Sequence, residues 1–235
     1  MDNDINLVDY SRQAEFDGEI QQVLLDKQRN HHVIIGCGGV GFWLGLMLAM
    51  QGYDRFTLID GDKIDNSNLN RLPVPQTWIG TNKAVALRKM IRFLRPTTII
   101  TALAAHITPE TITLLNTLTE KQMEDYSINA VRFWDTTDDA RIQQRIKTMV
   151  EELIKARGAQ RVMYRKIGYE GWKVGNYADY NVWLDEATYR PGYRTARANA
   201  ITSAVSASLG FLGMAFNSPD IDIDLKKLLT KGKKK

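Results

Sequence analysis

The period of apolar and polar positions changes several times along the chain, and each change marks an element. Before residue 30 the chain is polar, with Phe16, Ile20, Val23 and Leu24 near helical spacing; this predicts one amphipathic helix, roughly Ala14 to Lys27. "HHVII" is β-branched and ends at Gly36, the pattern of a short strand buried on both faces. "GFWLGLMLAMQG", from Gly41, reads as a helix apolar on nearly all sides and closed by Gly52. "RFTLID" is a second strand, and "SNLNRLPVPQTWIG" is a loop interrupted by Pro73 and Pro75. "TNKAVALRKMIRFLRP" is amphipathic and stops before Pro96. "TTIITALAA" is a third strand, and "TPETITLLNTLTEKQ" opens a helix with a Thr cap and a Pro in the first turn. "NAVRFWDTTDD" runs from a strand into an acidic loop, and "DARIQQRIKTMVEELIKARG" is a long helix ended by Gly158.

This alternation of strand and helix predicts an α/β fold with a Rossmann-like, doubly wound, mainly parallel sheet. From Gln160 the pattern changes. "RVMYRKIGYEGWKVGNYADYNVWL", rich in Tyr, Trp and Val, predicts a C-terminal antiparallel β extension, and "RTARANAITSAVSASLGFLGMAF" a closing helix of small residues. "NSPDIDIDLKKLLTKGKKK" reads as a tail that frays at its end.

Composition narrows the chemistry. The chain has 235 residues, 44% hydrophobic and 25% charged, with a formal net charge of +4 concentrated in "KGKKK". That is an ordinary globular balance, with no basic face or motif that would predict a nucleic-acid partner. The apolar stretch Phe42 to Met50 is too short to span a bilayer, and the polar, acidic N-terminus is no signal peptide. A single cysteine, Cys37, excludes an intrachain disulfide and any zinc site of paired Cys-x-x-Cys. The expected setting is the reducing cytoplasm.

Gly36, Gly38 and Gly41 form G-x-G-x-x-G between the first strand and helix. The first permits a tight turn, the second lets a phosphate approach the backbone, and the third lets helix and strand pack closely. The helix N-terminus then offers N–H groups and partial positive charge to an anion. Asp60 ends the second strand, where a carboxylate can accept hydrogen bonds from ribose hydroxyls. The segment Asp60 to Arg71, "DGDKIDNSNLNR", has no use in hydride transfer. With Lys83 at the next helix start, it can surround a polyphosphate from the side opposite the glycines. "WDTTDD" places Asp135, Asp138 and Asp139 at another strand end, where a carboxylate near phosphates is a natural Mg²⁺ ligand. Cys37 lies in the glycine loop, where a small residue is needed for space, so it reads as a spacer rather than a nucleophile.

Taken together, "VIIGCGGVG", "LIDGDKIDNSNLNR", "IGTNKA" and "WDTTDD" resemble the ThiF/MoeB-like family, the adenylating core shared with ubiquitin-activating enzymes. "DYSRQ", Asp9 to Gln13, is similar to that family's N-terminal R-Y-x-R-Q. The resemblance covers roughly residues 9–140 well and 160–215 more loosely. It implies a homodimer using ATP and Mg²⁺. The enzyme would activate the C-terminal Gly-Gly carboxylate of a ubiquitin-like or sulfur-carrier protein as an acyl-adenylate, with release of pyrophosphate. By position, Gly36, Gly38, Gly39 and Gly41 line the nucleotide, Asp60 holds the ribose, and Asp62 is the second acid of that segment. Asn68, Arg71 and Lys83 contact phosphates, Asp138 holds Mg²⁺, and Arg12 reaches the γ-phosphate, in family dimers from the other subunit. The chain then divides into an N-terminal helical arm (1–30), the adenylating domain (31–218) and a flexible basic tail (219–235).

Three departures stand out. Leu72 follows Arg71 where the family usually has Gln; the family's zinc-binding Cys-x-x-Cys pairs are missing; and no cysteine follows Cys37. The expected chemistry therefore stops at the acyl-adenylate, which passes to an external sulfur, amine or partner thiol. Ser203, Ser206 and Ser208 read as packing residues. Two other readings stay open: an NAD(P)-binding Rossmann oxidoreductase, and a catalytically idle ThiF-like binding subunit. A small peptide or an RNA-linked carboxylate also remains open as the adenylated group.

Overall fold

Strand β1 (Asn30–Ile35) is where the packing of the molecule is decided, because its side chains are buried on both faces. Val33 and Ile35 point into one hydrophobic core and Ile34 into the other. This is the period-2 alternation of a strand with helices on both sides. In this computed structural model, residues 29–124, 128–158, 161–170, 173–177 and 222–224 are described. The helix expected at 14–27, the small-residue helix with Ser203, Ser206 and Ser208, and Arg12 lie outside the described residues.

Helix α1 (Gly39–Met50) follows β1, then β2 (Arg55–Ile59), α2 (Lys83–Leu94), β3 (Ile99–Leu103), α3 (Pro109–Glu124), β4 (Ala130–Asp135) and α4 (Ala140–Arg157). The strands β5 (Val162–Glu170), β6 (Lys173–Tyr177) and β7 (Asp222–Asp224) complete the sheet, whose order is β3-β2-β1-β4-β5-β6-β7. The first five strands in that order are parallel, and β6 and β7 add antiparallel to β5. Helices α1 and α2 pack on one face with Phe56, Leu58 and Trp134. Helices α3 and α4 pack on the other with Val131, Phe133 and Ile59. Nine of the twelve residues of α1 are buried, which is why its sequence carries no polar stripe.

Two expectations change. The segment from 160 is not wholly an antiparallel ribbon: β5 continues the parallel sheet beside β4, with Val131 opposite Val162, and only β6 and β7 reverse. Within the region expected to be a flexible tail, Asp222–Asp224 forms an edge strand against Lys173–Gly175. Two aspartates in three residues give no strand signal, since β-propensity is low for Asp and the pairing partner supplies the order.

The chain builds β1, β2 and β3 outward in one direction, then crosses back to place β4 on the other side of β1. Ile35 and Asp135 stand opposite each other at the C-terminal ends of those two strands. This is the topological switch point, where doubly wound sheets open a crevice for ligands. Among the described residues no helix is long and apolar enough to cross a membrane.

Candidate nucleotide site

The glycine turn leaves β1 at that crevice. Gly36 has φ +90, a backbone conformation that side chains other than glycine rarely adopt, and its N–H still bonds Ile59 O at 2.9 Å. At Gly41 a Cβ would lie 1.9 Å from Gly36 O and 2.6 Å from Thr136 Oγ1, so the helix closes on the turn only because that position has no side chain. Gly38 is different: a Cβ there would meet nothing within 4 Å. Gly38 also caps α1 without any side-chain hydrogen bond, and the first turn carries no acid. The helix start therefore has no side chain of its own cap residue over it, and a small cap residue lets an anion come close to the backbone there.

Thr136, unremarked in the sequence, fixes this turn from β4. Its N–H bonds Ile35 O at 2.9 Å, and its hydroxyl bonds Ile35 O at 3.0 Å and Gly36 O. Asp60, at the end of β2, fixes it from the other side. One carboxylate oxygen accepts Cys37 N–H at 2.6 Å and the other accepts Asp62 N–H at 2.8 Å. Burial raises the Asp60 pKa, against the pull of those two N–H groups and of Lys83. Each oxygen keeps a second lone pair, so the group can still accept ribose hydroxyls. Cys37 is buried, and burial together with the Asp60 charge holds its thiol well above the usual range. A thiol kept protonated is a poor nucleophile, which agrees with the spacer reading.

Lys83 Nζ pairs with Asp62 at 2.9 Å; the lysine side chain is 12% exposed and the aspartate 59%, so the cation stands inside the rim with its partner outside. Asn82 assembles this corner. Its Nδ2 donates to Asp60 O at 2.7 Å and Asp62 O at 3.1 Å, and its Oδ1 accepts Val85 N–H to cap α2. An Asn before a helix signals a cap, but nothing local shows that the same amide grips a strand end some twenty residues earlier.

Asn68 is buried in a reciprocal cap with Asp65. Its Oδ1 accepts Asp65 N–H at 3.3 Å, while Asp65 Oδ1 accepts Ser67 N–H at 2.7 Å and Asn68 N–H at 3.2 Å. This tight turn aims Arg71 back at α1. The Arg71 stem lies on Gly39, where a Cβ would be 3.0 Å from Arg71 Cδ. Its guanidinium donates to Ser67 O at 2.8 Å, and the Trp43 indole N–H holds Arg71 O at 2.9 Å. Leu72, in place of the family glutamine, is buried in the core shared by α1 and α2.

Of the three acids at the end of β4, two hold backbone N–H groups in place. Asp135 is buried and accepts Thr137 N–H at 3.1 Å, Thr137 Oγ1–H at 2.7 Å and Tyr164 O–H at 2.8 Å. Asp139 caps α4 through Arg141 N–H at 2.8 Å. Asp138 lies exposed between them. Among the described residues no group of three or more His, Cys, Asp or Glu is placed to hold a metal. A cation here would therefore have to bring most of its ligands with it, as Mg²⁺ bound to phosphates does. The described frame sets a glycine without a side-chain cap at a helix start, a carboxylate at the next strand end, Arg71 on Gly39 and Lys83 beside Asp62.

The parallel sheet, its switch point and this rim define a doubly wound domain with a crevice at the strand ends. The chain belongs to the ThiF family, whose sequence model matches residues 10–171. It is 35% identical over 88 residues to tRNA threonylcarbamoyladenosine dehydratase of Haemophilus influenzae, covering 37% of this chain and 34% of that one. It is 35% identical over 79 residues to the adenylyltransferase and sulfurtransferase uba4 of Aspergillus fumigatus, covering 33% and 16%. The chain thus spans about a third or less of the length of these curated relatives. The crystal structure of E. coli MccB with ATP superimposes with TM-score 0.64 at 20% identity over 93% of this chain and 69% of that one, a likeness of fold.

Proposed function

We propose that the protein is an ATP-dependent adenylyltransferase that activates a carboxylate, with the C-terminal Gly-Gly of a ubiquitin-like or sulfur-carrier protein as substrate. The carrying observation is the convergence of Arg71 on Gly39 and of Lys83 on the Asp60 corner, around one helix start whose cap residue is glycine. Two cations opposite a glycine loop suit a triphosphate, and a hydride-transfer site has no role for them. A substrate carboxylate oxygen attacks the α-phosphorus, the bond to the bridging oxygen breaks, and pyrophosphate leaves with the negative charge. That reaction needs positioning and charge neutralisation more than covalent help.

In this reading Asp60 accepts the ribose hydroxyls, and the glycine turn at Gly38 and Gly39, where α1 begins, receives phosphate. Arg71 and Lys83 carry the developing charge, and Asn68 keeps Arg71 in range. Asp62 releases Lys83 when phosphate arrives. Asp138 contributes the protein ligand to a nucleotide-borne Mg²⁺, and Arg12 reaches the γ-phosphate from a second copy of the chain. With Cys37 buried and no other cysteine in the sequence, the acyl-adenylate passes to an external acceptor.

The test is ATP–pyrophosphate exchange in the presence of candidate carriers ending in Gly-Gly. Exchange should depend on the carrier, and Lys83→Ala should lower it roughly 10²- to 10³-fold with little change in stability, since the ion pair it breaks is partly exposed. Tight NAD(H) binding with no ATP binding would overturn the proposal.

A further inference from the structure

One aromatic side chain at the crevice has no part in the roles above. His106 stands exposed on the loop after β3, and its imidazole rests against the backbone of Gly61. A Cβ at Gly61 would come within 2.2 Å of Nδ1 and 2.3 Å of Cγ. Gly61 lies between Asp60 and Asp62, so this ring borders the corner that presents the ribose carboxylate. The loop is anchored on both sides. Asp60 N–H bonds Leu103 O at 3.2 Å, joining the ends of β2 and β3, and the hydroxyl of Thr111, a buried residue in the first turn of α3, bonds His106 O at 2.8 Å.

We propose that His106 is the wall of the nucleobase subsite, its ring stacking on the purine of the bound nucleotide. This rests on reading the glycine turn as a nucleotide site and adds to it the residue that selects the base. The direction follows from the sheet. Phosphates at the start of α1 and ribose at the end of β2 carry the base outward along the strand ends, past Gly61 toward β3. The ring meets it there, offering a flat π face to the base and ring nitrogens to its edge. Gly61 then has a definite purpose: any side chain at that position would push the imidazole off its seat.

Equilibrium binding to the full-length chain tests this with two ligands, ATP and inorganic tripolyphosphate, which shares the phosphates and lacks the nucleoside. His106→Ala should weaken ATP roughly tenfold or more, the effect of losing one stacked base, and leave tripolyphosphate unchanged. His106→Phe should restore most of the ATP affinity. Gly61→Ala should mimic His106→Ala, and adding it to His106→Ala should cost little more, because the ring it displaces is gone. Unchanged ATP affinity in His106→Ala, or equal weakening of both ligands, would overturn the subsite while leaving the nucleotide site standing. A wild-type chain that binds tripolyphosphate but not ATP would bring down both readings.

Discussion

Two helices begin at the same edge of the sheet and treat their first turns in opposite ways. At α4, Asp139 folds its carboxylate onto the N–H groups of Arg141 and Ile142, so the positive end of the helix is used within the chain. At α1, Gly38 offers no side chain and no acid follows, so no side chain of the cap residue covers the helix start. The backbone physics of the two ends is the same. What separates them is one side chain, and with it whether a helix start serves stability or a ligand. Around α1 the surroundings make up for the missing cap: Thr136 and Asp60 tie the glycine turn to β4 and β2.

The comparison can be broken most severely at Gly41. Gly41→Ala places a methyl on Gly36 O and should destabilise the fold by about 3 kcal/mol or more, read by urea unfolding, with loss of nucleotide binding. Acid should next weaken both helix starts together, because α1 leaves β1 and α4 leaves β4, which pairs with β1. Burial lowers the pKa of His31, which bonds Thr57, from 6.5 to about 4, with Arg55 adding to the effect, and burial also holds His32 well below the usual imidazole range. Between those pH values the unfolded chain binds more protons than the folded one. The contribution of His31 is therefore complete above about pH 6.5, and by linkage as much as about 3 kcal/mol is lost as pH falls to about 4. Urea midpoints measured from pH 7 to pH 4 should fall throughout; a flat profile would refute it.

The subtler test exchanges the behaviours of the two helix starts. Gly38→Ala adds a methyl where there is room. It should alter stability by less than about 1 kcal/mol and weaken ATP binding roughly tenfold by crowding the phosphate approach. Asp139→Ala should do the reverse, costing about 1 kcal/mol of stability and leaving ATP affinity within about twofold, since a cap acts only on its own helix. Titration calorimetry and thermal melts of the pair would show whether cap and anion site are the alternatives described here.

Much of this frame was legible in the sequence. The order of strands and helices from β1 to α4 follows from hydrophobic period, and the glycine turn, Asp60 and Lys83 are marked by short-range spacing. The residues that hold them together are not. Asn82, Thr136 and Tyr164 act across sequence separations of 22, 100 and 29 residues through side-chain hydrogen bonds, and no local pattern records such a bond. Leu72 reads as a lost polar contact until its burial shows it as a core residue. Asp135 and Asp139 look identical to Asp138 in "WDTTDD", and only burial and backbone hydrogen bonds show the first as a buried anchor and the second as a helix cap. The strand at 222–224 has no signal of its own.

The pairing of Ile35 with Asp135 also limits how this architecture can be lengthened during evolution. One residue inserted into either strand would slide its loop by about 3.3 Å and turn alternate side chains to the opposite face, separating Thr136 from the glycine turn. Insertions between the two strand ends and their helices are therefore disfavoured at this crevice. Length can instead accumulate at the far edge beyond β5, where successive strands add without disturbing that registration. Variation among related chains is expected to concentrate there, around an almost indel-free centre.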